Sequence, residues 1–188
     1  MDVQELKNTI NDFCRAIKLI GEKSNSESDL VEPARAEIAF FGLYLIFEDG
    51  AFDEKELELI EEFSGFKINR NHWNEIMEVE RVDSEDNYVS QPPNTFIVMV
   101  DVDNMLYENG EELAAYNAAY EVYKLVGDTL VNIKGFTDEK RQRKLSRFLE
   151  MIEKYRRDNM AAPDIKSGRE EDKIVNPAKK GVPAPKKS

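Results

Sequence analysis

A long apolar stretch that ends in an acidic turn constrains the fold more than any other feature of this 188-residue chain. Residues 36–47 are apolar on nearly every side, and Asp49-Gly50 interrupts them before a second, amphipathic segment that ends at Phe63. A helix that is apolar all round must be surrounded by other elements. The stretch therefore predicts a central helix, a turn and a second helix, with further helices packed around them.

Apolar residues recur at steps of three and four along most of the chain, which is helical spacing. The predicted fold class is therefore all-α, a single helical bundle of about seven helices. The apolar run TFIVMV could also form a strand, but no second strand is available to pair with it. The predicted helices cover residues 1–20 up to Gly21, residues 33–47, Asp53 to Gly65, a short stretch around Trp73, residues 93–107, residues 111–133, and a last segment capped by Thr137 or Asp138.

The end of the chain differs from the rest in composition. Beyond Tyr155 the apolar period stops and Pro, Lys and small residues become frequent. We therefore expect one domain over residues 1–157 and a flexible, disordered tail over residues 158–188. Residues 161–188 contain seven Lys or Arg and four Asp or Glu, a net charge of +3, which leaves −15 for the first 160 residues. Such a tail could fold back over the acidic body, aid solubility, or act as a linker or docking arm.

Composition also excludes several functional classes. A formal net charge of −12 argues against nucleic acid or an anionic membrane as the main partner. The opening residues lack a signal-peptide pattern and no apolar run approaches the roughly 18 residues of a membrane span, so we expect a cytoplasmic protein that is not an integral membrane protein. One cysteine, Cys14, and one histidine, His72, exclude an internal disulfide and a multi-histidine metal site. Because no catalytic or nucleotide-binding motif occurs, we expect no catalytic residues and no enzyme activity.

The chain matches itself at an offset of 85 residues. The shared positions include the turn glycine and the helix cap, which backbone geometry constrains, so we expect a duplicated helix-turn-helix unit. Two acids of the first turn are charge-reversed in the second, because Asp49 aligns with Lys134 and Glu56 with Arg141. The identical pairs are Gly42 and Gly127, Leu45 and Leu130, Gly50 and Gly135, Asp53 and Asp138, Glu54 and Glu139, Lys55 and Lys140, and Phe63 and Phe148.

The first turn is a candidate cation site. Asp49, Asp53 and Glu56 follow one another at spacings of four and three residues. A turn that feeds a helix could gather these carboxylates around one ion, the oxygen-rich setting that Ca²⁺ or Mg²⁺ prefers. The structural alternative makes Asp53 a helix cap and Glu56 its capping-box partner. Leu45 and Phe47 occupy the earlier ligand positions of an EF-hand loop, so no EF-hand is predicted.

Two further acids, Glu37 and Asp101, interrupt apolar surroundings. A buried carboxylate needs a partner or a raised pKa. One interpretation is a salt bridge to a base such as Arg35 or Lys124, or partial exposure. The other is that Glu37 and Asp101 face each other or a tyrosine hydroxyl and line a small polar pocket inside the bundle. The candidate tyrosines for that pocket are Tyr44, Tyr116 and Tyr120.

The chain resembles the TerB-like (tellurite-resistance) superfamily. The resemblance rests on the apolar helix, the Asp-Gly turn and the Glu that opens the next helix, and on their weaker repetition in the second half of the chain. The resemblance covers Glu32 to Tyr155. It implies an all-helical bundle of two pseudo-repeated halves, associated with stress-response and membrane-proximal assemblies, and divalent metal held by Asp49, Asp53 and Glu56. The second turn departs from the Asp-Gly pattern, so neither a second metal site nor the family's usual partner is implied.

We therefore expect a non-enzymatic helical interaction module with a protein partner. The alternative is a divalent-cation-binding domain centred on the acidic turn. An exposed apolar patch, on the first helix or at Phe40, Phe41 and Phe47, would favour the interaction module.

Overall fold

The structure is a computed structural model that describes residues 3–23, 29–47, 53–69, 91–110, 114–135 and 137–161. These ranges contain six α-helices and no strand. None of the six has both the length and the apolar content that a bilayer crossing requires. The helices are α1 (Val3–Lys23), α2 (Val31–Ile46), α3 (Glu54–Ser64), α4 (Asn94–Glu108), α5 (Ala115–Val131) and α6 (Glu139–Asn159).

The second helix, α2, lies at the centre of the bundle. Nine of its 16 residues are buried, and it packs against α1, α3, α5 and α6. The ring of Phe41 lies 5.2 Å from the ring of Tyr123 on α5 and 4.3 Å from the ring of Phe148 on α6. Because its side chains are apolar around nearly the whole circumference, α2 is stable only where other helices cover it on several sides. The predicted central helix is thus confirmed.

The C-terminal end of α3 ties three helices together. Gly65 has a φ of 69°, in the left-handed region that glycine adopts without steric cost, and its amide donates a hydrogen bond to the Glu61 carbonyl at 3.0 Å. The guanidinium of Arg35, on α2, donates to the Ser64 carbonyl and to the Asn11 side-chain oxygen, each at 2.6 Å. One arginine therefore joins α2 to the end of α3 and to α1.

Several sequence-based boundaries differ from the structure or lie outside its described part. Gly21 does not end α1, which continues to Lys23, because Gly21 does not adopt the left-handed conformation that closes a helix. The short helix predicted around Trp73 lies outside the described residues, as do residues 162–188 of the predicted tail. α6 reaches Asn159 and the side chain of Met160 is fully buried, while the domain boundary at residue 157 stays a prediction.

The contact between Gly65 and Arg35 predicts a measurable stability difference between two glycine substitutions. A Cβ at position 65 would lie 2.8 Å from the Arg35 Nη1, whereas a Cβ at Gly135, whose φ is 79°, meets nothing within 4 Å. G135A therefore adds only backbone strain, about 1 kcal/mol, and G65A adds strain plus displacement of Arg35, about 2–3 kcal/mol in all. Urea unfolding followed by circular dichroism measures both, and equal losses would contradict the importance of the Arg35 contact.

Candidate functional site

The acidic turn is described only in part. Asp49 lies outside the described residues. Asp53 is exposed and caps α3, since its Oδ1 accepts a hydrogen bond from the Lys55 amide at 2.9 Å and its carbonyl accepts one from the Leu57 amide at 3.1 Å. The cap satisfies amides that the first turn of a helix otherwise leaves unpaired. The predicted capping position of Asp53 is thus confirmed.

Glu56 points into the core and does not complete a capping box. Its two carboxylate oxygens accept hydrogen bonds from Nη1 and Nη2 of Arg141 on α6, at 2.9 and 3.2 Å. Glu56 is 5% exposed and Arg141 is 1% exposed. Arg141 Nη1 also donates to the Leu130 carbonyl at 3.2 Å, near the end of α5. This two-pronged pair therefore connects α3, α5 and α6 inside the bundle.

A second carboxylate lies near the same guanidinium. Asp138 caps α6 by accepting hydrogen bonds from the amides of Lys140 and Arg141, at 3.0 and 3.1 Å, and its Oδ2 lies 3.6 Å from Arg141 Nε. Partial burial alone would raise the pKa of Asp138, but the amide hydrogen bond from Arg141 and its positive charge outweigh burial and hold that pKa below its usual value. The single positive charge of Arg141 is thus shared by two carboxylates.

These contacts bear on the cation hypothesis for Asp49, Asp53 and Glu56. In the ranges that the structure describes, no group of three or more His, Cys, Asp or Glu side chains could hold a metal ion. A cation at Glu56 would have to share a carboxylate whose two oxygens already accept hydrogen bonds from Arg141. Because Asp49 lies outside the described ranges, binding of Ca²⁺ or Mg²⁺ stays a prediction, and thermal melts with each cation and with EDTA test it.

Glu37 and Asp101, predicted to share a polar pocket, occupy different surroundings. The Glu37 carboxylate accepts hydrogen bonds from the amides of Asn94 and Thr95, each at 2.9 Å, and from the Thr95 hydroxyl. Asp101 is exposed on α4, where its charge adds to burial in raising the pKa of Tyr155. The structure does not bring the two acids together. Glu37 instead caps α4, whose own N-cap position is Pro93 and provides no side-chain cap.

Two of the three tyrosines considered for the predicted pocket are core residues. Tyr44 is fully buried on α2 and Tyr116 is 1% exposed at the start of α5. The guanidinium carbon of Arg156 lies 4.2 Å from the centre of the Tyr116 ring. Burial raises the pKa of Tyr116, and the charge of Arg156 opposes that increase. Burial therefore favours the neutral form of the Tyr116 phenol.

Sequence reasoning missed Asp103, which is 1% exposed. Its carboxylate accepts three hydrogen bonds from the amides of Ala114, Ala115 and Tyr116, at 3.1, 2.9 and 2.9 Å. The N-cap residue of α5 is Ala114, which supplies no side-chain cap, so Asp103 supplies it from α4. The signal was present in the spacing, because position 103 follows Phe96 by seven residues and thus lies on the same buried side of α4.

Lys144 caps the C-terminal end of α2, much as Asp103 caps the start of α5. Its ammonium donates to the carbonyls of Tyr44 and Phe47, at 3.0 and 2.8 Å, and lies 5.2 Å from the centre of the Tyr44 ring. Lys144 is 4% exposed although it lies in a strongly charged stretch of α6. A cation at the negative end of the α2 dipole is stabilising. Sequence reasoning missed Lys144 because it ends a run of charged residues that begins at Asp138 and is interrupted only by Gln142.

A shallow groove opens where α1, α2 and α4 meet. Its volume is about 90 Å³. The apolar part of the lining comes from all three helices and from the residues that precede α2, and the polar part is the cap formed by Glu37 at the start of α4. The lining residues are Ile17, Leu30, Pro33, Ala34, Glu37, Asn94, Thr95, Val98 and Met99. We call this surface the α1–α2–α4 groove.

A scan against models of protein families, a search of curated proteins and a search of solved structures each return no match. The TerB-like resemblance therefore remains an expectation from the sequence.

The buried carboxylate of Asp103 predicts a large stability effect from a small substitution. D103A leaves three amides at the start of α5 without their acceptor, and we expect a loss of about 2–3 kcal/mol in the free energy of unfolding. The matched control is D101A, which removes an exposed carboxylate from the same helix and should change stability by less than roughly 0.5 kcal/mol. Urea titrations of both variants measure the difference, and a D103A loss as small as that of D101A would contradict the cap.

The Glu56–Arg141 pair predicts a non-additive double substitution. R141L leaves the Glu56 carboxylate buried and unpaired, so we expect a loss of about 3–5 kcal/mol. E56L/R141L removes both charges and should recover most of that loss, because apolar replacements of a buried pair are often neutral. Urea unfolding of R141L, E56L and the double variant E56L/R141L measures the coupling energy between the two side chains. Additive losses would show that the two side chains do not act as a pair.

Proposed function

We propose that this chain is a non-enzymatic helical interaction module that docks a protein partner, resembling TerB-like domains of stress-response or membrane-proximal assemblies, in the cytoplasm. The observation that carries the proposal is an apolar surface on α4 that continues from the α1–α2–α4 groove. Val98 lines the groove, and Val102 and Met105 follow it at steps of four and three residues. These three residues form the α4 face.

The exposure of the α4 face increases along the helix. Val98 and Val102 are half-buried, and Met105 is 62% exposed. Residues at positions i, i+4 and i+7 lie on one side of a helix, which is the spacing by which apolar helix faces dock. Methionine is an adaptable side chain that is common at such contacts. The face and the groove together form an apolar surface on which an apolar side chain of a partner protein can pack.

The size of the groove favours a protein anchor over a small-molecule substrate. Its volume of about 90 Å³ suits one aliphatic side chain. Pockets that enclose drug-sized ligands are larger, at roughly 300–1,000 Å³. Glu37, the carboxylate in the lining, already accepts hydrogen bonds from the Asn94 and Thr95 amides. These hydrogen bonds support a structural role for Glu37.

The buried charges of the described core support the same proposal. Glu37 and Asp103 cap helices, Glu56 and Arg141 pair with each other, and Lys144 holds the end of α2. Each of these side chains therefore has a partner that stabilises the bundle. This use of charge is typical of a rigid scaffold.

We also propose that the scaffold contains a duplicated helix-turn-helix unit, formed by α2 with α3 and by α5 with α6. The caps Asp53 and Asp138 are 85 residues apart in sequence. A Cβ on Gly42 would lie 3.1 Å from Ile60, and a Cβ on Gly127 would lie 2.3 Å from the side chain of Leu145. The two glycines are 85 residues apart, and so are the residues that they approach, Ile60 and Leu145. Matching caps and matching close approaches support the duplication.

The α4 face predicts that one exposed apolar residue affects partner binding and another does not. M105E places a charge on the α4 face, so we expect loss of a partner that wild type captures. L19E is the matched control, because Leu19 is 58% exposed and belongs to α1 instead of the α4 face. Affinity purification followed by a binding titration with the purified partner measures both variants.

The comparison between these variants separates the possible results. Capture by wild type and L19E, but not by M105E, would support the α4 face. Equal capture by all three proteins would contradict it and direct attention to another surface. Circular dichroism melts verify that both variants fold, since both replaced side chains are mostly exposed.

A further inference from the structure

The chain that follows α6 starts from a fixed position beside α4. Met160, directly after α6, is fully buried. The Ala161 amide donates a hydrogen bond to the side-chain oxygen of Asn104 at 2.7 Å, and the side-chain amide of Asn104 donates to the Asn159 carbonyl at 3.0 Å. Because Asn104 belongs to α4, these contacts hold the start of residues 162–188 against that helix.

The α4 face begins one residue away from that position. Met105 follows Asn104 directly and is 62% exposed. Val98, at the other end of the face, lies six residues from Asn104, which is about 9 Å along the helix axis. The whole α4 face is therefore close to the point at which residues 162–188 begin.

Ile165 is the first large aliphatic residue after that point. It follows Ala161 by four residues, and four residues of extended chain span at most about 13–14 Å. This length exceeds the roughly 9 Å along the axis to Val98. Ile165 can therefore reach the α4 face without displacing the contacts of Met160 and Ala161. A connection as short as this also costs little loop-closure entropy.

The charges near Ile165 in sequence are compatible with such a contact. α4 contains no Lys or Arg, and its acids Asp101 and Glu108 are exposed. Residues 162–169 contain one Lys, one Arg and one Asp, a net charge of +1. Attraction between exposed charges is weak and is screened by salt, so the apolar contact with the α4 face has to supply most of the affinity.

We propose that Ile165 packs on the α4 face of its own chain and covers that face until a partner displaces it. The inference rests on the proposed function of the α4 face and adds its regulation. Ile165 and a partner use the same apolar surface, so only molecules with an uncovered face bind the partner. A face that is uncovered in about one quarter of the molecules binds a partner about fourfold more weakly than a face that is always uncovered.

Methyl NMR of the full-length chain tests the contact directly. Isotopic labelling of methionine methyl groups reports on Met105, and the M105L variant assigns its signal. I165D places a charge in the apolar contact, so we expect it to shift the Met105 signal. I174D is the matched control, because it makes the same substitution nine residues further along the chain, and it should leave that signal at its wild-type position.

Two NMR results would overturn the inference. In one, the Met105 signal of I165D stays at its wild-type position. In the other, the signal moves equally in I165D and I174D, which would show an effect of added charge instead of a contact made by Ile165.

Partner binding separates this inference from the proposed function. For a partner that wild type captures, I165D should raise the affinity about fourfold and I174D should leave it unchanged. Loss of binding in M105E with no gain in I165D would overturn the cover and retain the proposed function. A Met105 signal that responds to I165D alone, together with equal capture by wild type and M105E, would support the cover and contradict the proposed function.

Discussion

Charged side chains supplied by neighbouring helices hold the helix ends of this bundle. The starts of α4 and α5 have Pro93 and Ala114 at their N-cap positions and receive no cap from their own sequence. Glu37 on α2 caps α4, and Asp103 on α4 caps α5. An uncapped start leaves several amides without acceptors, and the helix dipole favours a negative charge there. The stability of each helix thus depends on the position of another.

The same principle operates with opposite sign at the C-terminal ends. Lys144 donates to two carbonyls at the end of α2, and Arg35 donates to the last carbonyl of α3. Arg141 combines both kinds of contact, since it pairs with Glu56 and also donates to Leu130 near the end of α5. Buried charges are costly unless paired, so these contacts oppose any packing of the helices that would separate the partners. Charge here specifies which helix ends meet.

The buried charges are paired within the protein, so groups that could bind another molecule lie elsewhere. The acids that draw attention in the sequence, Glu37 and Glu56, are bound to the protein itself. What the described structure offers to other molecules lies on its surface, as the apolar α4 face.

The sequence by itself determined the all-helical class, the central position of α2 and the cap at Asp53, and it limited the cap of α6 to Thr137 or Asp138, because these depend on periodicity and on residues within one turn of each other. It also aligned Glu56 with Arg141 without indicating that they touch. Only the tertiary structure decided that Glu56 faces Arg141 and that Asp103, rather than Asp101, is the buried acid. The physical reason is distance along the chain. A contact across 85 residues depends on how helices pack, and local spacing does not specify that packing.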